Sequence, residues 1–239
     1  MTSTQTSEVP VVEQGEQRHI PAFVDWLVGA LLVLGGLALA MGGSALWLLV
    51  DRPMIAAAVA DGSIQSDSLA GADLVDVTAA TVTWSAIGLL LTGLLLLVVG
   101  IAFVAMRRRD HARRSAGEPT SDYIANALVG AVASGLLSFV PFSPVLGGAI
   151  AGYFERGESD RVVSVGALSG LVALAPIVTI VLFVLGGVIA GLAGIGETSL
   201  ALLVSIVLLF VVMVVATIGA GLGAIGGYVG GRLADDGPN

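Results

Sequence analysis

Gly219-Ala-Gly-Leu-Gly223-Ala-Ile-Gly-Gly227-Tyr-Val-Gly-Gly231 is the stretch whose reading decides the fold. Gly219, Gly223, Gly227 and Gly231 recur every fourth residue, so on an α-helix they share one face, one turn apart. Glycine inside a soluble helix costs about 1 kcal/mol against alanine. The flanking residues are too apolar for a soluble helix. In lipid there is little hydrophobic drive between helices, and a stripe of small residues lets two backbones touch. Part of the stripe occurs twice: Gly148-Ala-Ile-Ala-Gly152-Tyr153 and Gly223-Ala-Ile-Gly-Gly227-Tyr228 share the pattern G-A-I-small-G-Y. The C-terminal half is therefore expected to pack through Gly148, Gly152, Gly219, Gly223, Gly227 and Gly231.

Composition widens this reading to the whole chain. Its 239 residues are 56% hydrophobic and only 12% charged, with a mean hydropathy of +0.99. A soluble domain carries roughly 25% charged residues. Apolar runs at 22–50, 79–106, 162–195 and 199–231 each exceed the roughly 20 residues that a spanning helix needs. The predicted fold is an all-α, polytopic membrane bundle of four full spans plus a short re-entrant helical hairpin.

The net charge is −8, and all ten basic residues are arginine. In molar salt the Debye length shrinks to about 3 Å, so acidic surfaces repel little. A halophilic source fits this balance; a GC-rich genome is the alternative. Cysteine is absent, which excludes disulfides and thiolate metal sites.

Residues 1–20 read as a disordered tail, and 21–114 as a two-span membrane hairpin. In the first run Gly29, Gly36 and Gly43 repeat by seven, and Trp26 and Trp47 stand near the ends as interfacial anchors. The outer loop, 51–78, should hold a short helix opened by Pro53 and closed by Gly62. Its aspartates match no EF-hand spacing and read as a solvated loop. Arg107, Arg108, Arg109, Arg113 and Arg114 follow the second span directly. By the positive-inside rule they place that end, and both termini, in the cytoplasm. The same cluster is suited to anionic lipid headgroups. His111 reads as a solvated loop residue. Residues 115–122 are a linker, and 123–239 form a glycine-rich membrane domain.

Within that domain the first helix should stop at Val140-Pro141-Phe142-Ser143-Pro144, because proline removes a donor and disfavours helix in the residue before it. The apolar segment from Val145 to Phe154 is too short to span. A re-entrant hairpin with Pro141, Phe142, Ser143 and Pro144 at its tip follows. Free backbone groups at that depth must be covered by protein or face water. Pro176 should kink the following helix. Val129-Gly-Ala131…Ser134-Gly-Leu136 resembles Val165-Gly-Ala167…Ser169-Gly-Leu171, and each precedes a G-A-I-small-G-Y block. Parallel duplication and chance similarity of Gly/Ala/Val-rich helices both account for this.

Asn126-Ala-Leu-Val-Gly130 and Phe139-Val-Pro-Phe-Ser-Pro144-Val-Leu-Gly-Gly-Ala-Ile-Ala-Gly-Tyr153 resemble a haloarchaeal family of small, glycine-rich integral membrane proteins of unknown function. The resemblance covers about residues 123–236. It implies a membrane fold and no particular activity.

The span interiors hold no charged residue or histidine of the kind that ion-coupled transporters place there. No phosphate loop, H-E-x-x-H or G-x-S-x-G motif occurs. The chain is thus expected to be no enzyme, to use no cofactor or metal, and to bind no nucleic acid. Its expected partners are the lipid bilayer, further copies of itself or other membrane proteins. Two functions remain: a structural or assembly bundle, and a passive channel built on the Pro141–Pro144 turn with Asn126, Ser134, Ser138 and Ser143.

Overall fold

The computed structural model describes residues 22–116, 122–155 and 159–235. The expected tail at 1–20, most of the linker at 115–122 and the residues after 235 lie outside the described residues. Among the described residues all regular structure is helical: α1 (Ala22–Leu49), α2 (Arg52–Ala60), α3 (Gly71–Ser115), α4 (Tyr123–Leu136), α5 (Ser143–Glu155), α6 (Ser159–Gly194) and α7 (Thr198–Asp235).

α1, α3, α6 and α7 are long and apolar enough to cross a membrane. At about 1.5 Å per residue the 28 residues of α1 reach about 42 Å, beyond a hydrocarbon core of about 30 Å. The 14 residues of α4 and 13 of α5 reach only about 20 Å each. Asp25, Arg107, Asp122, Glu155 and Arg161 gather at one end of the bundle through their ion pairs and hydrogen bonds. α4 and α5 therefore rise from that end and return to it.

Local chemistry sets the boundaries. Asp51 caps α2 by accepting from the Met54 amide at 2.9 Å, and Pro53 follows in the first turn. Gly62 (φ +81°) then turns the chain. The outer loop is shorter than expected, because α3 begins at Gly71 and carries Asp73 and Asp76 in helix. There Asp76 pairs with Arg52, tying α2 to α3. α6 runs through Pro176 as one helix, and Gly196 (φ +89°) reverses the chain into α7.

α1 and α3 form one antiparallel pair, and α6 and α7 another. In the outer half α3 lies directly on α6. Gly187 and Gly191 admit Thr81, Trp84 and Val77, and the Trp84 and Phe183 rings stand 6.0 Å apart. Trp84 thus serves helix packing, 13 residues inside a helix that starts earlier than the sequence suggested. In the inner half the hairpin joins this frame, α4 packing on α1 and α6 and α5 on α6 and α7.

Candidate functional site

The hairpin seat is where the distinctive residues meet. α7 carries two glycine ridges. A Cβ on Gly223 would overlap the Gly166 carbonyl of α6, and one on Gly227 the Val162 carbonyl. At the ends of this ridge Gly219 faces the Leu174 side chain and Gly231 faces Val162 at 2.9 Å. The second ridge points to α5: a Cβ on Gly226 would strike the Val145 carbonyl, and one on Gly230 the Ala149 carbonyl. Reciprocally, Gly148 and Gly152 lie against the Gly223 and Gly227 carbonyls. Equivalent positions of the two G-A-I-small-G-Y blocks thus touch each other. The numbers rise together along both helices, so α5 runs parallel to α7. The Gly226–Gly230 ridge escaped the sequence reading, although a second four-residue spacing was its signal.

A polar seam runs beneath the glycines. Asn126 Nδ2 donates to Glu155 Oε2 at 2.8 Å, and Arg161 pairs with the other carboxylate oxygen. The Glu155 side chain, at the end of α5, is only 4% exposed. Further in, Ser134 and Ser169 are buried, and neither hydroxyl has a partner among the described residues. Ser169 packs on Gly130 and Ser134 on Gly147. Ala151 and Val165 are fully enclosed beside them. Small residues let these polar groups sink into helix contacts.

Beside the seam, charge ties the two halves together. Arg107 Nε lies 2.8 Å from Asp25 Oδ2, and Arg107 Nη1 lies 2.5 Å from Asp122 Oδ1. The Arg107 and Asp25 side chains are 3% and 7% exposed. His111 Nε2 approaches the same Asp25 oxygen at 3.2 Å. His111 therefore sits on α3 beside a carboxylate, which corrects its reading as a solvated loop residue. Arg107, read as part of a headgroup-facing cluster, is buried between α1, α3 and the start of α4. Arg108, Arg109 and Arg113 are exposed. Arg114 continues α3, with its side chain outside the described residues.

The tip spans residues 137–142. Val145 lies beside Gly226 of α7, roughly 42 Å along that helix from Thr198 at 1.5 Å per residue. The turn thus stands at intermediate depth in the bundle. Part of its backbone bonds locally: Ser138 N to Gly135 O, Val140 N to Leu137 O, Ser143 N to Val140 O and Val145 N to Phe142 O. These bonds take up the carbonyls of Gly135, Leu137, Val140 and Phe142, while those of Ser138, Phe139 and Pro141 accept none of them. Phe142 takes a left-handed conformation (φ +65°), which bulky residues rarely adopt. Phe139 and Phe142 are 81% and 69% exposed, and Pro141 is exposed. Ser143 and Pro144, half-buried, open α5. Among the described residues no group of three or more histidine and carboxylate side chains could hold a metal ion.

Residues 124–233, from the hairpin to the end of α7, match the family of unknown function DUF5518. No curated protein and no solved structure matches the chain.

Proposed function

We propose that this is a structural or assembly protein of the cell membrane, with both described chain ends on the cytoplasmic side. The observation that carries the reading is the closed interior of the hairpin seat. Ala151, Val165 and Ser169 are fully buried where α4, α5 and α6 meet. Glycine backbones of α5, α6 and α7 lie in contact beside them. Such a junction favours a fixed shape. Association with further copies or other membrane proteins would use the outward side of α1, where Gly35 and Gly42 have nothing within 4 Å of an added Cβ. The acidic, lysine-free composition fits a source in high salt. The alternative, a passive channel through the Pro141–Pro144 turn, draws its support from the buried Ser134 and Ser169 hydroxyls.

Flux measurements in proteoliposomes separate the two. The structural reading expects ion conductance and glycerol uptake equal to those of protein-free vesicles. Flux above that level, lost on Ser134→Val, would replace it with the channel. Orientation is read separately, by impermeant thiol labelling of Ser66→Cys and Ser115→Cys. Labelling from opposite faces, with Ser115→Cys cytoplasmic, is expected; labelling from one face would overturn the topology.

A further inference from the structure

The second span ends in arginines, and the structure sorts them. Arg107 is buried in its pairs with Asp25 and Asp122. Arg108, Arg109 and Arg113 are exposed. Arg109 and Arg113 lie one turn apart on α3, and the same face runs on through Met106, Ala102, Val99 and Leu95. Those four apolar residues are exposed as well. At about 100° per residue, Arg108 lies half a turn from Val99 around the helix axis, so it falls outside this face. The height of the arginines is marked from α1. Asp25 meets Arg107 and His111, and its neighbour Trp26 is exposed. Tryptophan favours the membrane–water interface, and this one stands level with the arginines.

From Arg109 back to Val99 and Leu95, α3 covers about 15 and 21 Å. That reaches the middle of a hydrocarbon core of about 30 Å. There Val99 and Leu95 form part of the wall of a cavity of about 460 Å³ between α1, α3, α4 and α6. No charged side chain lines it. The Thr179 hydroxyl donates to the Ala175 carbonyl and the Thr92 hydroxyl is buried, so the wall offers a guest hydrocarbon contacts.

We propose that this face of α3 binds one anionic phospholipid, its phosphate held by Arg109 and Arg113 and the end of one tail lodged in the cavity. Asp110, half-buried between the two arginines in the chain, leaves the group net positive. Guanidinium forks suit phosphate oxygens. A zwitterionic headgroup brings its own cation to the same place, which offsets much of the attraction. Free phosphate would meet the arginines and use nothing of the apolar face. A neutral lipid would use the cavity and gain nothing from the arginines. The exposed track between them joins charge and cavity, so the ligand carries an anion at one end and a chain at the other. The cavity volume lies within the range of ordinary ligand sites, roughly 300–1,000 Å³. The tail enters sideways from the bilayer, past Leu95 and Val99.

The test uses the full-length protein in phosphatidylcholine liposomes with two trace probes, phosphatidylglycerol and phosphatidylcholine, each with a diazirine near the end of one tail. Photolabel from the anionic probe should concentrate on cavity residues such as Leu128 and Val132. It should exceed that from the zwitterionic probe about five- to twenty-five-fold, roughly fivefold for each arginine at the membrane surface. Arg109→Gln should cut this preference about fivefold, and Arg109→Gln with Arg113→Gln should abolish it. Arg108→Gln removes the same charge from the other side of α3 and should lower the preference less than Arg109→Gln does. Gly135→Leu adds a side chain in open space at the cavity wall and should shift label out to Val98 and Ile101, which face lipid. Millimolar inorganic phosphate should not compete. Equal labelling by the two probes, equal effects of Arg108→Gln and Arg109→Gln, label on Val98 and Ile101 in the unaltered protein, or displacement by phosphate would each overturn the site. If Gly135→Leu does not fold, the arginine variants decide alone. Vesicle flux leaves this result unaffected, so the site and the structural reading fail separately.

Discussion

The α1–α3 pair and the α5–α6–α7 junction both rely on glycine, in different ways. On α1 the glycines at 29, 36 and 43 come every seventh residue. Each gives one close approach per two turns, and side chains such as Leu32, Leu97 and Val104 fill the gaps. On α7 the glycines come every fourth residue in two ridges, and whole turns of backbone lie in contact with α5 and α6. A seven-residue spacing joins two helices. Two adjoining four-residue ridges seat a helix on either side, which is how a hairpin too short to span is held within the bundle. Position decides what a mutation meets: on α1 Gly29 faces a movable Val104 side chain while Gly36 and Gly43 face α3 backbone, and on α7 Gly223 and Gly227 face fixed carbonyls of α6.

The largest expected effect lies where the two regions join. Arg107→Leu would leave buried Asp25 with His111 beside it and an apolar side chain in place of the guanidinium, and would take one partner from Asp122. Breaking a buried ion pair typically costs about 3–5 kcal/mol. Thermal unfolding in detergent should show a large loss of stability. Arg107→Leu with Asp25→Leu should recover part of it, because the lone charge is then gone. A single-variant loss under about 1 kcal/mol would mean that water reaches the pair and that the two regions are not locked.

Next comes Gly223→Ala. The added methyl meets the Gly166 carbonyl, which moves only if α6 moves. Overpacking of this kind costs about 1–3 kcal/mol. Gly29→Ala in the other interface meets a Val104 methyl, which can rotate away. The gain in helix propensity, up to about 1 kcal/mol, offsets much of that contact. Gly223→Ala should therefore lower the unfolding temperature clearly more than Gly29→Ala. Equal shifts would show that meeting a carbonyl rather than a side chain makes no mechanical difference.

The contrast was partly legible in the residues themselves. Apolar runs and the position of Pro53 located the helices, and the spacing of Gly219 to Gly231 located one ridge. The G-A-I-small-G-Y repeat pointed to the surfaces that touch. The polar contacts were not legible. Asp25 and His111 are 86 positions apart, and no periodicity links an aspartate on one helix to a histidine on another. Glu155 borders a charged run in the sequence, and nothing in that run shows that Asn126 holds it inside. The start of α3 was missed because Asp73 and Asp76 read as solvated coil, whereas an exposed helix face bears such residues equally well. The course of the 137–142 turn depends on backbone angles, including that of Phe142, which sequence pattern does not encode.

The smallest expected effect tests whether the α1 surface is finished or still waiting for a neighbour. Gly35 and Gly42 lie on the side of α1 away from α3, with nothing within 4 Å of an added Cβ. For an isolated copy Gly35→Ala therefore costs no packing and gains helix propensity, up to about 1 kcal/mol on the scale for soluble helices. The unfolding temperature in dilute detergent should stay level or rise slightly. In lipid the same glycines would let a second helix approach closely, and Gly42→Leu would hold that helix off. The two readouts therefore separate. Gly42→Leu should lower the fraction of cross-linked oligomer in liposomes while leaving the detergent-solubilised monomer's unfolding temperature unchanged. If cross-linking is the same with leucine as with glycine, this face meets only lipid. α1 would then use glycine on one side alone, and assembly through this helix would be ruled out.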